Sequence, residues 1–341
     1  MKDRFSSEEE ARAAGEAAYL RGERGEAERI WRNLIKSSND ISQAALILGI
    51  FLEQQGDTDG ACAKYQQAAD SGDSEASVTA AFNLAVLLKE QGNVARARTY
   101  YQRVIDSRHP ELRPRAACNL ALLLEEKGNT EEACANYQLA VDSGNPDYAS
   151  MAAINLGNLL EVSGDKAQAR TYYQQVIVSG DPDYASMAAL NLGNLLEDQG
   201  DMNGACAKYQ QAADSGDSEA SAKAALNLGN VLREQGDMDG AGAYYQQAIR
   251  SGYPDVVPLG ILNLANILHE QGSAAGARFN YQLAIDSGHP DAASPAALNM
   301  GILLEELGDI GGAHVHYQQA AASGNPEVTP IAKDRLRNLP D

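Results

Sequence analysis

Asparagine stands at positions 83, 119, 155, 191, 227, 263 and 299, each 36 residues after the last. The residues around it recur with the same step. Asn191-Leu192-Gly193-Asn194-Leu195-Leu196 is followed by Gly200-Asp201, Ala205, Tyr209-Gln210 and Ser215-Gly216. A fixed period of this length marks a repeat architecture, in which each unit has an apolar face that only its neighbour can cover. Extending the register gives about nine units, starting near Glu8, Ser42, Val78, Pro114, Ser150, Ser186, Ala222, Pro258 and Ser294. The first is about two residues short and carries Trp31 where the others carry Tyr. Val328 to Leu339, with Lys333, Arg335 and Arg337, reads as a polar capping helix of the kind that solenoid ends need.

Each unit reads as two helices. In the sixth, Ser186 to Gln199 supplies Leu190, Leu192, Leu195 and Leu196, and Gly200-Asp201 ends the helix. A second helix from about Asn203 to Asp214 turns Ala205, Tyr209, Ala212 and Ala213 inwards, and Ser215-Gly216 stops it. No segment of period two competes, so the class is all-α. Gly or Ala recurs at 49, 85, 121, 157, 193, 229, 265 and 301. Glycine inside a helix costs about 1 kcal/mol relative to alanine, so its recurrence predicts a close approach of two helix backbones. Ala61, Ala97, Ala133, Ala169, Ala205, Ala241, Ala277 and Ala313 would face it.

The spacing Gly193, Ala205, Tyr209, Ala212, together with Asn191-Leu192-Gly193-Asn194, resembles the tetratricopeptide repeat (TPR) over nearly the whole chain. The unit is longer than that family's usual one. Its Ser-Gly-Asp-Pro-Asp type loops and Tyr-Gln-Gln-Ala-Ala-x-Ser-Gly runs are similar to Sel1-like repeats, without their longer Gly-rich loop. The resemblance implies an α-solenoid, a right-handed superhelix of about nine antiparallel helix pairs. The array would span 1–327, and a capping helix and tail 328–341. A second period lies over the first: Gly60 to Ser77 is identical to Gly204 to Ser221, which points to growth by block duplication.

Composition narrows the function. There are 27 Lys and Arg against 47 Asp and Glu, a formal charge of −20. Such a chain repels phosphate backbones and anionic membrane surfaces, so the partner expected is a neutral or basic protein or peptide, not nucleic acid or membrane. No apolar run approaches the length of a membrane span, and the start has no signal-peptide core, which reads as cytoplasmic. The sequence has no P-loop, no Gly-x-Ser-x-Gly elbow and no His-Glu-x-x-His. We therefore expect no enzyme, no catalytic residue, no cofactor and no metal site. Cys62, Cys134 and Cys206 share one repeat position. At about 10 Å per helix layer they lie far beyond the ~7 Å reach of a disulfide. His314 and His316 point to different sides of one helix, His109 and His289 fall in loops, and all read as surface histidines.

The asparagine ladder is the informative constellation. Asn191, Asn194, Asp198 and Met187 fall within about 60° of one another on a helical wheel, away from Leu192, Leu195 and Leu196. In TPR arrays the first helices line the concave surface, so the resemblance implies that this stripe faces a groove. A primary amide offers donors and an acceptor that match one peptide unit. Rungs about 10 Å apart would meet every third residue of a chain extended at ~3.3 Å per residue. The candidate peptide-binding residues are Asn83, Asn119, Asn155, Asn191, Asn227, Asn263 and Asn299, with a second rung at Asn158, Asn194, Asn230 and Asn266. The competing reading is that each Asn bonds a neighbouring helix. Glu90, Glu126, Asp198, Glu234, Glu270 and Glu306 form an acidic rim for Lys or Arg side chains, or a plain solvated face. Phe82, Cys118, Ile154, Leu190, Leu226, Leu262 and Leu298 read either as anchor pockets or as packing between first helices.

These readings make the chain a non-enzymatic scaffold that binds an extended, neutral-to-basic peptide. The alternatives are a structural or self-assembling solenoid, or a regulatory sensor beside a separately encoded enzyme. The charged ends, Met1–Glu10 and Lys333–Arg337, argue against open stacking and for a monomer.

Overall fold

The computed structural model describes residues 8–37, 41–72, 74–216 and 218–340; the first seven residues of the charged start Met1–Glu10 lie outside them. Among the described residues there are 19 α-helices and no strand. The first helices of the repeats are α1 Glu8–Leu20, α3 Ile41–Gln54, α5 Glu75–Glu90, α7 Leu112–Glu125, α9 Ala149–Val162, α11 Ala185–Asp198, α13 Glu219–Glu234, α15 Val257–Glu270 and α17 Pro290–Glu306. The second helices are α2 Arg24–Ser37, α4 Thr58–Ala69, α6 Val94–Asp106, α8 Thr130–Asp142, α10 Lys166–Ser179, α12 Met202–Ala213, α14 Met238–Arg250, α16 Ala274–Asp286 and α18 Ile310–Ala322. The last, α19, spans Val328–Asn338, where the capping helix was predicted.

The chain forms two compact bodies, Met1–Asp165 with α1 to α9 and Lys166–Asp341 with α10 to α19. In each, consecutive helices pack side by side, and first helices also touch the next first helix: α3 on α5 and α5 on α7 in one body, α11 on α13 and α15 on α17 in the other. Each body is thus a stack of helix pairs, the α-solenoid arrangement.

Local chemistry sets the boundaries. Gly200 ends α11 with φ +78°, a left-handed conformation that costs a side chain ~1–2 kcal/mol. Asp201 then caps α12, its carboxylate accepting the Gly204 N–H at 2.9 Å. Asp57, Asp237 and Asp309 do the same for Gly60, Gly240 and Gly312. At the other end of the second helix a serine closes the turn. Ser71 Oγ donates to the Ala68 carbonyl and Ser215 Oγ to that of Ala212, both at 2.6 Å.

The core is made of small residues around one large one. Ala61, Ala97, Ala133, Ala205, Ala241, Ala277 and Ala313 are fully buried, as are Tyr65, Tyr101, Tyr137, Tyr209, Tyr245 and Tyr317. The recurrent glycine has a different cause from the one expected. A Cβ on Gly193 would lie 2.4 Å from Tyr209 Cε1, and one on Gly49, Gly229 or Gly301 would meet Tyr65, Tyr245 or Tyr317 at 2.5–2.6 Å. What comes close to the glycine is the tyrosine ring of the same repeat, not a second backbone.

Candidate interaction face

The buried tyrosine carries its hydroxyl towards the first-helix face, and a residue twelve positions earlier meets it there. Tyr65 donates to Glu53 at 2.5 Å, Tyr137 to Glu125 at 2.9 Å, Tyr209 to Glu197 at 2.5 Å and Tyr317 to Glu305 at 2.5 Å. Burial and then the bond to the carboxylate push these four phenols far above their usual range. The same register holds Lys89, Arg233 and His269 in other repeats. Where Lys89 stands, the buried Tyr101 hydroxyl finds no partner; burial pushes it up to about 12, with the nearby Asn119 amide opposing the shift. Burial likewise brings Tyr245 up to about 12, with Arg233 opposing.

The second-rung asparagines join this node to the ladder. In the C-terminal body Tyr209 reaches Asn194 Oδ1 at 2.7 Å, Tyr245 reaches Asn230 at 2.8 Å and Tyr281 reaches Asn266 at 2.9 Å. The same amide oxygens accept an N–H from the ladder asparagine of the next repeat: Asn227 to Asn194 at 3.1 Å, Asn263 to Asn230 at 2.9 Å and Asn299 to Asn266 at 2.9 Å. Tyr209 has one proton and two acceptors. The Glu197 carboxylate is the stronger acceptor and the Asn194 amide oxygen the weaker, so the phenol proton is shared unequally between them. In the N-terminal body the nearby Asn83 and Asn155 amides moderate the upward shifts of Tyr65 and Tyr137, as Asn119 does for Tyr101.

The ladder therefore has a structural half: amides bond from one first helix to the next. It also has an open half. Asn83, Asn119, Asn155, Asn191, Asn227, Asn263 and Asn299 are all half-buried, as are Asn230 and Asn266, whereas Asn158 and Asn194 are exposed. Asn263 and Asn299 each commit one N–H to the neighbour, which leaves an N–H and the carbonyl oxygen. Beside them a cavity of about 260 Å³ is lined by Arg233, Asn266, His269, Glu270, Tyr281, Asn299 and Ile302.

The acidic rim is exposed at Glu90, Glu126, Asp198, Glu234, Glu270 and Glu306. Three of its carboxylates have basic neighbours: Lys166 to Asp198 at 3.8 Å, Arg233 to Glu270 at 3.7 Å and His269 to Glu306 at 2.8 Å. Exposed pairs of this kind contribute little, about 0–1 kcal/mol. The apolar stripe of Phe82, Cys118, Ile154, Leu190, Leu226, Leu262 and Leu298 is buried, so it packs the stack and offers no anchor pockets.

Sequence reasoning passed over two features. The carboxylates that hold the tyrosines are those just before the rim, Glu53, Glu125, Glu197 and Glu305; their recurrence twelve residues before Tyr was the available signal. His269 stands in that register, with Nδ1 3.3 Å from the Tyr281 hydroxyl and Nε2 on Glu306. Two histidine readings also change. His316 is half-buried with Nδ1 unpartnered, and burial lowers its basicity. His109 and His289 accept backbone N–H groups of the helix that follows. All four thiols are free; burial pushes Cys118 up to about 12 and raises the other three.

A stack of short helix pairs with a polar, amide-lined first-helix face is a repeat protein of the solenoid class. Comparison with known proteins gives the family. The profile described as "Tetratricopeptide repeat-like domain" matches residues 135–265 and 179–303, and "Tetratricopeptide repeat" matches 12–76 and 82–148. The chain belongs to the tetratricopeptide repeat proteins. A search of curated protein sequences finds no match. Among solved structures, the chain is similar to the C-terminal part of a TPR repeat-containing protein from Cytophaga hutchinsonii: 15% identity, 75% of this chain, 99% of that one, TM-score 0.56. It is also similar to BtubC (BKLC) from P. vanneervenii: 18% identity, 57% of this chain, 90% of that one, TM-score 0.49. TPR repeats generally mediate protein–protein interaction and typically form non-enzymatic scaffolds. No helix among the described residues is long and apolar enough to cross a membrane.

Proposed function

We propose that this TPR protein binds an extended, neutral-to-basic peptide segment of a partner protein along its first-helix face, with the asparagine ladder gripping the peptide backbone. The observation that carries the reading is the amide-to-amide bonding of Asn263 to Asn230 and Asn299 to Asn266, each at 2.9 Å. A surface amide is usually free to rotate, and ordering it on binding costs entropy. Here Asn227, Asn263 and Asn299 are each held from behind by the amide of the preceding repeat, and Asn263 and Asn299 keep a second N–H and the carbonyl oxygen for a ligand. The exposed carboxylates of the rim favour Lys or Arg in the bound segment. Neutral hydrogen bonds give a net of about 0.5–1.5 kcal/mol each. The four rungs of the C-terminal body, Asn191, Asn227, Asn263 and Asn299, then supply roughly 2–6 kcal/mol, a Kd between about tens of millimolar and tens of micromolar.

The test uses the full chain, immobilised against a display library of random 12-residue peptides. Retained peptides are synthesised and their affinities measured for the wild type and for Asn227→Ala/Asn263→Ala. The expected result is a tenfold or greater loss in the double variant at unchanged helicity. Equal affinity would remove the ladder from the mechanism.

A further inference from the structure

Moving back from Asn83 by one repeat reaches Ile47 at the ladder position, Ile50 at the second rung and Gln54 at the acidic rim. In the first repeat, two residues shorter, the rim position is Leu20 and the tyrosine-holding position is Tyr19. The face that is amide and carboxylate further along is therefore mainly apolar at the end formed by α1 and α3. A cavity of about 300 Å³ opens there, walled by Tyr19, Leu20, Ile47, Ile50, Phe51 and Trp31, with Glu16 and Gln54 as its two polar members. Leu20 is 83% exposed and Ile50 37%, so the mouth is open. The floor is rigid: Trp31 and Phe51 are buried with ring centroids 5.1 Å apart, and Tyr19 packs edge-on to Phe51. Tyr19 is fixed in turn by donating to Gln54 at 2.5 Å. The Trp31 N–H is buried and has no acceptor. Elsewhere in the array the residue at this position ends in a hydroxyl, which a glutamate accepts at Tyr65, Tyr137, Tyr209 and Tyr317; Trp31 faces Tyr19 instead.

We propose that this cavity is an anchor site for one bulky aliphatic or aromatic side chain of the same peptide that lies on the asparagine face. The proposal rests on the peptide reading above. Continuity of register argues for this occupant: Ile47, Ile50 and Asn83 belong to one body and to one stripe of its first helices. One repeat is about 10 Å, so the anchor residue stands about three residues from the peptide unit at Asn83 and six from that at Asn119. The volume lies at the lower end of small-ligand cavities, enough for a side chain rather than a whole molecule. An amide ladder is indifferent to side chains and slips in steps of its own repeat. A single apolar socket at one end fixes both register and direction, and so supplies sequence specificity.

The experiment uses the library-selected peptides, made without tryptophan, and the emission of Trp31, the chain's one tryptophan. The selected peptides should share a Leu, Ile, Met or Phe at one position. Titration of one of them should shift Trp31 emission saturably. Replacing that residue by Ser, or making Ile50→Asp or Leu20→Asp in the protein, should weaken binding about tenfold or more. Leu20 is 83% exposed, so its variant removes little buried packing, and unchanged helicity checks that the fold is kept. Selected peptides with no common apolar position, or binding indifferent to both protein variants, would overturn the proposal. A dimer that Leu20→Asp converts to monomer in light scattering would assign the cavity to a second copy and overturn it. So would a change of Trp31 emission on Phe5→Ser alone, which would give it to the chain's own start. Asn83→Ala/Asn119→Ala separates the two readings. Binding lost in that variant and in Ile50→Asp alike supports ladder and socket together; binding kept there but lost in Ile50→Asp upholds the socket and sinks the ladder.

Discussion

Replacing tyrosine by phenylalanine at two equivalent places should have opposite effects. Tyr209 and Tyr101 occupy the same repeat position and both are completely buried. The Tyr209 hydroxyl lies 2.5 Å from Glu197 and 2.7 Å from Asn194. Tyr209→Phe removes a charge-assisted bond of about 1.5–3 kcal/mol and leaves Glu197 and Asn194 each short of a partner. The Tyr101 hydroxyl has no partner, because Lys89 stands where Glu197 does. A buried unsatisfied group costs roughly 1–3 kcal/mol, and Tyr101→Phe deletes it while keeping the ring. The Asn119 amide nearby offsets part of that gain. We therefore expect Tyr209→Phe to lower stability by about 2 kcal/mol and Tyr101→Phe to leave it unchanged or raise it by up to about 1 kcal/mol. The assay is urea unfolding followed by circular dichroism, with both variants and the wild type at one protein concentration. Equal losses in the two variants would refute the argument, because they would show that the ring and not its hydroxyl network is what the repeat position requires.

Two further outcomes follow from the same geometry. Unfolded tyrosine ionises near pH 10, whereas Tyr101 and Tyr245 are held at about 12. A raised folded value means stability is complete below about pH 10 and lost as pH rises towards 12; helicity and tyrosinate absorbance should therefore change together in an alkaline titration, and tyrosinate appearing in full while the helices persist would contradict this. Arg103 on α6 donates to the carbonyls of Ala69 at 2.6 Å and Gly72 at 3.2 Å, closing the end of α4, and Gln247 does the same for Ala213 at 2.9 Å. Arg103→Ala should cost about 1–2 kcal/mol in urea, and Arg103→Gln less than half of that; identical losses would assign the effect to the guanidinium charge.

Much of the fold was legible in the sequence because its signals are local and repeated. Gly200-Asp201 states a helix end and a cap within two residues, and the 36-residue step says that whatever one pair does, the next does too. The site was only half legible. Period and wheel placed the asparagines on one face, but an amide carries the same letters whether it meets a ligand or a neighbour. The bond from Asn263 to Asn230 crosses 33 residues, and only packing brings those two together. The same limit hid Glu197, which reads as one surface acid among many until Tyr209 arrives from the next helix.

The sequence by itself determined the class, the number of helix pairs and the stripe on which the polar face lies, since periodicity and end signals depend on near neighbours along the chain. Tertiary structure decided why the glycines recur, which carboxylates hold the tyrosines, and where the face turns from amide to apolar at Ile47 and Leu20. Those facts depend on a ring, a hydroxyl or a cavity wall supplied by another helix, and a distance between helices is written nowhere in the order of residues.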